Sequence, residues 1–179
     1  MSVNRRHAIK QFLFVSAGIA LVPACMQDKS KASVILKNLA INNHQEKLLA
    51  ELSETIIPVT NTPGAKDISA HLFVLKMMDD CYSTADQQKF MKGMDAFNIQ
   101  CKTQFGDYFV ICTPEQRVKF VQQAETDKNK TADLNFFYNT VKRLTIQAYT
   151  SSKFYLTKIN VYKMVPGRYH GCVPVATSA

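Results

Sequence analysis

The sequence predicts an all-α fold: an irregular bundle of about five to six helices followed by an extended C-terminal arm. Apolar residues recur at three- and four-residue spacing from residue 44 to residue 148, which is the period of one helix face. Capping residues, prolines and glycines divide this region into segments of helical length. Strand and helix patterns do not alternate, so a doubly wound α/β fold is not expected. The chain has 179 residues, 46% of them hydrophobic, which is enough for one domain with a core.

Residues 1–24 are predicted to be a signal peptide that lies outside the fold. Arg5 and Arg6 give it a basic start. The apolar run at 12–24 is too short to span a bilayer but suits a signal-peptide core. The string NRRHAIK is similar to the twin-arginine export signal, whose route moves folded proteins. The alternative is that the two arginines only supply the positive charge of a general secretory signal.

Cys25 is the candidate lipidation site. The string VPAC that ends with it is similar to the cleavage signal of bacterial lipoproteins; the alternative is an ordinary signal peptide with an incidental cysteine. Residues 25–43 are polar at first and are predicted to be a tether, with folding expected near 34–39. The helical domain then covers 44–179, and its C-terminal arm begins at about residue 151. Together these features predict an exported, membrane-anchored periplasmic protein.

The first two predicted helices are separated by a loop rich in turn residues. The first helix begins at His44 and ends before Pro58, because proline lacks an N–H and restricts the preceding residue. Its buried face consists of Leu48, Leu49, Leu52 and Ile56. After the loop at 61–67, Asp67 or Ser69 is expected to cap the second helix. The face predicted for that helix consists of Leu72, Leu75, Met78 and Cys81.

Three further helices are predicted, each opened by a capping residue. Thr84 and Gln87 fit a capping box at the start of a long helix, which Gly106 ends. Thr113 is expected to cap the next helix, and Thr131 the last one. The predicted core positions of these helices are Phe90, Met94, Phe97, Cys101 and Phe105, then Val118 and Val121, then Leu134, Phe137, Val141, Leu144 and Ala148.

The sequence contains no motif for catalysis or for cofactor binding. GxGxxG, CxxCH, HExxH, Walker-loop and GxSxG patterns are all missing, so we expect no cofactor and no metal in this chain. His170 and Cys172 alone are too few ligands for tetrahedral zinc. The net charge is +8, but the basic residues are spread along the chain, so nucleic-acid binding is not expected.

Two pairs of carboxylates occur at helical spacing, Glu51 with Glu54 and Asp79 with Asp80. Paired carboxylates can perform general acid–base chemistry. At these spacings they are more typical of a solvated helix face, and we interpret both pairs in that way.

Four cysteines beyond Cys25 are candidates for disulfides: Cys81, Cys101, Cys112 and Cys172. An even number in an exported chain allows up to two disulfides in three pairings, and the sequence leaves all three open. No pair has CxxC spacing, so a redox-active motif or a zinc ribbon is not supported.

Two segments resemble the signatures of a known family. The segment ELSETIIPVTNTPGAKD at residues 51–67 resembles the signature ETIIPxTDTPGA of the gluconate 2-dehydrogenase subunit 3 family. The segment RLTIQAYTSSKFYLTKINVYKMVPGRYHGCVP at residues 143–174 resembles that family's ending, LTLxGYFTSE…VPGxYxGC. The two motifs lie at the two ends of the predicted domain, and a leading Arg-Arg signal is also usual in the family.

The resemblance implies a small, non-catalytic subunit. Members of that family accompany a large FAD-dependent flavoprotein dehydrogenase of the glucose-methanol-choline type, and often a cytochrome c that carries haem. The flavoprotein oxidises sugars or sugar acids at the periplasmic face. The resemblance therefore implies that this chain binds the flavoprotein, stabilises it and assists its twin-arginine export.

Aromatic residues, an arginine and a Pro-Gly turn near the C-terminus are the predicted partner-binding groups. They are Tyr149, Phe154, Tyr155, Tyr162, Pro166, Gly167, Arg168 and Tyr169. The alternative for each aromatic residue is burial in the chain's own core. The alternative for the whole protein is a stand-alone periplasmic binding or scaffold lipoprotein.

Overall fold

A computed structural model describes residues 32–126 and 131–160, together with Tyr162, Gly167 and Cys172. The regular elements in these residues are five α-helices and one π-helical turn, and the part of the chain described contains no strand. The all-α prediction is confirmed. The elements are α1 Asn43–Ile56, α2 Ala70–Cys81, α3 Thr84–Phe105, α4 Pro114–Thr126, α5 Ala132–Thr150 and the π-helical turn Tyr155–Ile159.

Helix α5 is the central element of the bundle. It packs along α3 over the largest shared surface and also contacts α1 and α2, while α1 contacts α4 as well. The five predicted core residues of α5, from Leu134 to Ala148, are all buried. Their spacing places all five side chains on one face of the helix. Burial of this apolar face away from water stabilises α5 in the middle of the fold.

A cluster of phenylalanine rings fills the space between α3, α4 and α5. Phe97 is at its centre, with ring centroids 5.2 Å from Phe109, 4.9 Å from Phe120 and 5.6 Å from Phe137. These rings are tilted or edge-on to one another, which is the favourable arrangement for aromatic pairs. All four side chains are buried, so the cluster fixes how α4 and the turn before it sit on the two longer helices.

Helices α3 and α5 approach each other closely at Gly93. A Cβ atom at this position would lie 2.2 Å from the carbonyl oxygen of Asp133 and 2.6 Å from the Cβ of Phe137. Only glycine leaves room for the backbone of α5 there. The close approach therefore requires a residue that is otherwise unfavourable in a helix interior.

Several predicted helix ends are confirmed. The Thr131 hydroxyl accepts from the amide of Leu134, and the Thr113 hydroxyl accepts from the amide of Gln116 at 3.4 Å. Gly106 ends α3 in the left-handed conformation at φ 85°, as expected for a glycine at this position. Helix α1 begins one residue before the predicted His44, and Asn42 forms a capping box with Gln45 in front of it.

One predicted cap is wrong, and another has the predicted position without the capping hydrogen bond. Ser83, not Thr84, caps α3, and its hydroxyl accepts from the amide of Asp86. Gln87 is therefore not the partner in a capping box; it is buried, and its amide donates to the carbonyl of Met78 at 3.0 Å. Ser69 stands at the N-cap of α2 but makes no capping hydrogen bond, because it adopts the left-handed conformation at φ 56°.

Some predicted core positions are more exposed than expected. The side chain of Val118 is 44% exposed, because it lies about 100° around α4 from the stripe formed by Phe120, Val121 and Ala124. Cys81 is exposed as the last residue of α2. The remaining three, which are half-buried, are Ile56, Leu72 and Phe105.

The segment before α1 is attached to α2 by a buried carboxylate. Asp79, which is 1% exposed, accepts hydrogen bonds from the backbone amides of Lys37 and Asn38 at 2.7 Å and of Leu39 at 2.9 Å. Residues 32–42, which include part of the predicted tether, thus pack on the helices and bury Leu39. The interpretation of Asp79 as part of a solvated face is wrong, whereas Asp80 is exposed and pairs with Lys76.

We expect Asp79→Asn to lower the free energy of unfolding by about 2–4 kcal/mol at pH 7. The amide group would place a donor against backbone N–H groups and leave at least one buried donor unpaired. Urea unfolding of the purified chain measures the difference. The matched control is the neighbouring Asp80→Asn, which removes only an exposed ion pair and should change the stability by less than about 0.5 kcal/mol.

The same variant should show a defined pH dependence. Burial raises the pKa of Asp79, but the three backbone donors outweigh it and bring the pKa below its ordinary value. A carboxyl with a lowered folded-state pKa stabilises the fold above its unfolded-state pKa of about 3.9, and this stabilisation is lost as the pH falls through the folded-state pKa. The difference between wild type and Asp79→Asn should therefore be full at pH 7 and shrink below about pH 4. A pH-independent difference would contradict the role given to the carboxylate.

Gly93→Ala should lower the free energy of unfolding by about 3 kcal/mol, because α3 and α5 must separate to admit the methyl group. Alanine is the better helix former by about 1 kcal/mol, so a net loss of stability can come only from the close packing of α3 against α5. Thermal unfolding followed by circular dichroism tests this. Gln100→Ala on the exposed side of α3 is the control and should be nearly neutral; equal stability of the two variants would refute the close packing.

Candidate partner-binding site

The two segments that resemble the family signatures lie against each other in the structure. The hydroxyl of Tyr149, near the end of α5, donates to the carbonyl of Pro63 at 3.0 Å and lies 3.3 Å from the hydroxyl oxygen of Thr62. Further along the same helices, the hydroxyls of Ser53 and Thr145 are hydrogen-bonded at 3.2 Å in the buried interior. Residues 51–67 and the described beginning of 143–174 therefore form one structural unit.

The loop between α1 and α2 is organised around the carboxylate of Glu54. One oxygen accepts from the amide of Val59 at 3.0 Å, and the other accepts from the amide of Lys66 at 2.9 Å. Gly64 passes close to the same group, since a Cβ there would lie 2.5 Å and 2.6 Å from its two oxygens. Glu54 is half-buried, and its carboxylate pairs with two amides of the loop. Its interpretation as only a solvated helix residue is therefore wrong.

Backbone hydrogen bonds complete this loop. The amide of Ala65 donates to the carbonyl of Ile57 at 2.9 Å, and the amide of Thr60 donates to the carbonyl of Thr62 at 3.0 Å. Asp67, one of the two predicted caps, instead accepts from the amide of Gly64 at 3.0 Å. With most of its polar backbone paired, the loop has a single defined shape.

Glu51 carries a second set of charged contacts beneath the loop. Its two oxygens lie 2.5 Å from Lys66 Nζ and 2.5 Å from Arg117 Nη1. Arg117 also donates to the carbonyl of Phe109 at 3.0 Å and to that of Val110 at 2.7 Å. Partial burial raises the pKa of Glu51, but the two cations outweigh it and lower the pKa overall. The carboxylate is therefore ionised at neutral pH and joins the loop to α4.

An aromatic group extends the site beyond α5. The ring of Tyr149 lies 6.5 Å from that of Phe154 and 6.1 Å from that of Tyr155, both edge-on. All three residues are half-buried. Beside them is an open depression of about 400 Å³, lined by residues on both sides of the motif junction: Ile68, Phe73, Ala148, Ser151, Ser152, Lys153 and Phe154.

Large apolar side chains are exposed on both segments of the unit. Val59 projects from the loop, Ile159 is the last residue of the π-helical turn, and Tyr162 follows that turn. Ile159 and Tyr162 have 53% and 62% of their surface exposed. The amide of Tyr162 donates to the carbonyl of Leu156 at 3.0 Å, so its backbone is held by the turn. Exposed apolar and aromatic groups on an ordered backbone are typical of a surface that binds another protein.

Apart from Cys81, Cys101 and Cys112, which the structure describes, the other predicted site residues fall into two groups. Gly167 and Cys172 are exposed. The rest, which lie outside the described residues, are Arg5, Arg6, Cys25, Pro166, Arg168 and Tyr169.

The described residues meet neither the requirements of a metal site nor those of a membrane-spanning helix. Among them no three His, Cys, Asp or Glu side chains are grouped so that they could hold a metal ion. None of the helices at 32–126 and 131–160 is long and apolar enough to cross a membrane.

A second depression of about 350 Å³ lies at the opposite end of α1 from the loop. Its lining includes Asn42, His44, Asp95, Tyr108 and Ile111.

The family model for gluconate 2-dehydrogenase subunit 3 matches residues 43–167, more than half of the chain. The chain belongs to the gluconate 2-dehydrogenase subunit 3 family. The match begins at the first residue of α1 and includes the loop, α5 and the π-helical turn, so the site described above lies within the family region. Comparison with curated proteins and with solved structures gives no significant match.

Sequence reasoning missed the residues that shape this site in the gluconate 2-dehydrogenase subunit 3 chain. The sequence does not distinguish Glu51 and Arg117 from surface charges, and it marks Glu54 only as the first residue of the ETIIPxTDTPGA signature. Glu51 and Glu54 lie on α1 just before a proline-containing loop whose amides need acceptors, and this was the available signal. Arg117 gave no comparable signal, because the carbonyls it binds come from an irregular turn.

Glu54→Gln should loosen the loop. It replaces one acceptor oxygen by a donor, so either the amide of Val59 or that of Lys66 loses its partner. We expect amide hydrogen exchange at these two positions to become about tenfold faster. Exchange measured by NMR or mass spectrometry tests this, with Glu115→Gln at the start of α4 as control. Unchanged exchange in Glu54→Gln would show that the carboxylate does not hold the loop.

Proposed function

We propose that this chain is the non-catalytic small subunit of a periplasmic, FAD-dependent sugar or gluconate dehydrogenase complex. It stabilises the flavoprotein subunit and assists its export by the twin-arginine route. Family membership supports a place in a dehydrogenase complex. The observation that carries the proposal is the contact between Tyr149 and Pro63, because it joins two distant motifs into one ordered surface.

The character of that surface favours binding over chemistry. The loop is held by Glu54 and by its own backbone hydrogen bonds, so little conformational entropy is lost when a partner docks on it. Ile159 and Tyr162 present exposed apolar area beside it. Aromatic and apolar groups at the centre of a protein interface supply most of its binding energy.

The cofactors of the complex belong to its other subunits in this proposal. FAD is held by the flavoprotein and haem by a cytochrome c subunit. The basic pair Arg5 and Arg6 serves as the export signal for both this chain and the flavoprotein, and a lipid on Cys25 anchors the complex to the membrane. The sequence features that support this are the apolar run at 12–24 and the string VPAC.

Binding should depend on the exposed apolar residues of the site. We expect the double variant Ile159→Asp/Tyr162→Asp to reduce the flavoprotein that co-purifies with the full chain by at least about tenfold, because burying two charges in an apolar interface is costly. Co-expression with a tagged flavoprotein subunit, followed by affinity capture and activity measurement, gives the retained fraction.

The matched control for that experiment is Ile35→Asp/Ile99→Asp. These side chains are also exposed and apolar, and Ile35 belongs to the segment that Asp79 binds near the last turn of α2, whereas the loop precedes the first turn of that helix. The control should retain the flavoprotein. Equal loss in both double variants would refute the location of the surface. Full dehydrogenase activity and export without this chain would refute the proposed function and favour a stand-alone scaffold lipoprotein.

A further inference from the structure

Two of the four described cysteines lie against each other in the interior. The Sγ atoms of Cys101, near the end of α3, and of Cys112, in the turn before α4, are 3.6 Å apart. Cys101 is 0% exposed and Cys112 is 4% exposed. Cys81 and Cys172 are exposed. Of the three disulfide pairings that the sequence allows, the structure therefore favours the one that joins Cys101 to Cys112.

The backbone around the pair is held in position on both sides. The amide of Gly106 donates to the carbonyl of Lys102 at 2.8 Å where α3 ends, and the amide of Cys112 donates to the carbonyl of Tyr108 at 3.2 Å within the turn. The buried ring of Phe109 lies between these points and packs on Phe97. The turn thus directs Cys112 towards α3 for reasons that do not involve the sulfur atoms.

We propose that Cys101 and Cys112 form an intrachain disulfide in the exported protein. A disulfide has a sulfur–sulfur distance of about 2.0 Å, so the two sulfur atoms, now 3.6 Å apart, need to approach by about 1.6 Å. The inference rests on the proposed function in one respect: the chain must be exported, because disulfides persist in oxidising compartments. The pairing itself follows from the geometry.

The oxidant required is another disulfide. The Cys112 thiolate attacks one sulfur of that disulfide and expels the first thiolate. The sulfur of Cys101 then attacks Cys112 and expels the oxidant's second sulfur. Two electrons pass from the cysteines to the oxidant, and the two protons of the cysteine thiols end on the two thiols that the oxidant becomes.

Burial determines when this exchange can occur. Burial, together with the neighbouring Cys112 sulfur, raises the pKa of Cys101 to about 12. Cys101 is therefore a protonated, unreactive thiol in the folded chain at neutral pH. Because the twin-arginine route delivers a folded chain, the exchange takes place after export, when local opening of the turn exposes both thiols to the oxidant. Reductant reaches the disulfide through the same opening.

Thiol mapping of the full chain tests the proposal. The chain is expressed in an exporting bacterium, quenched with acid, alkylated with a maleimide and digested without reduction. We expect a linked peptide that contains Cys101 and Cys112, and alkylation of that pair only after reduction. Reductant should lower the Tm by about 5–10 °C.

Two double-cysteine variants show whether the effect of reductant on the Tm comes from the Cys101–Cys112 pair. Cys101→Ala/Cys112→Ala should have a Tm that no longer responds to reductant, whereas the control Cys81→Ala/Cys172→Ala should keep the full shift. Free thiols at Cys101 and Cys112, or a bond from either one to Cys81 or Cys172, would overturn the inference. Failure of the proposed function gives a different result, a linked Cys101–Cys112 peptide in a chain that retains no dehydrogenase.

Discussion

The close crossing of α3 and α5 at Gly93 is the constraint on which the rest of the molecule depends. It brings α5 into the middle of the bundle, where it contacts α1, α2 and α3. The direction of α5 then decides where its last turn, with Tyr149, meets the loop after α1. A wider crossing would move that hydroxyl away from the carbonyl of Pro63. The geometry of the candidate binding surface is thus set more than fifty residues before Tyr149, the first of the aromatic residues that form it.

Carboxylates stabilise two of the irregular segments that pack on the helices. Asp79 binds three consecutive amides of the segment before α1, and Glu54 binds two amides of the loop after it. Backbone outside helices has no regular ladder of acceptors, so its amides are left to pair with side chains or with nearby carbonyls. Each carboxylate is attached to a helix that the core already positions. The irregular segments consequently take their shape from the bundle.

The sequence predicts the helices well because their signals are local. Thr113 and Thr131 cap helices and Gly106 ends one as expected, and the stripe from Phe90 to Cys101 is buried. The function of Asp79 could not be predicted, because its partners lie some forty residues earlier in the chain. Asp79 and Asp80 look alike in the sequence, and only the fold makes one buried and the other exposed. The assignment of Cys101 to Cys112 likewise requires the turn that Phe109 anchors.

Arg117 links two parts of the structure that are distant in sequence. Its guanidinium group binds Glu51 and also the carbonyls of Phe109 and Val110 in the turn before α4. Glu51 in turn binds Lys66 of the loop. Residues that share a partner show non-additive mutational effects. The loop and the turn therefore cannot be redesigned as independent modules. A graft that transfers the binding loop to another helical scaffold would have to transfer Arg117 and its turn with it.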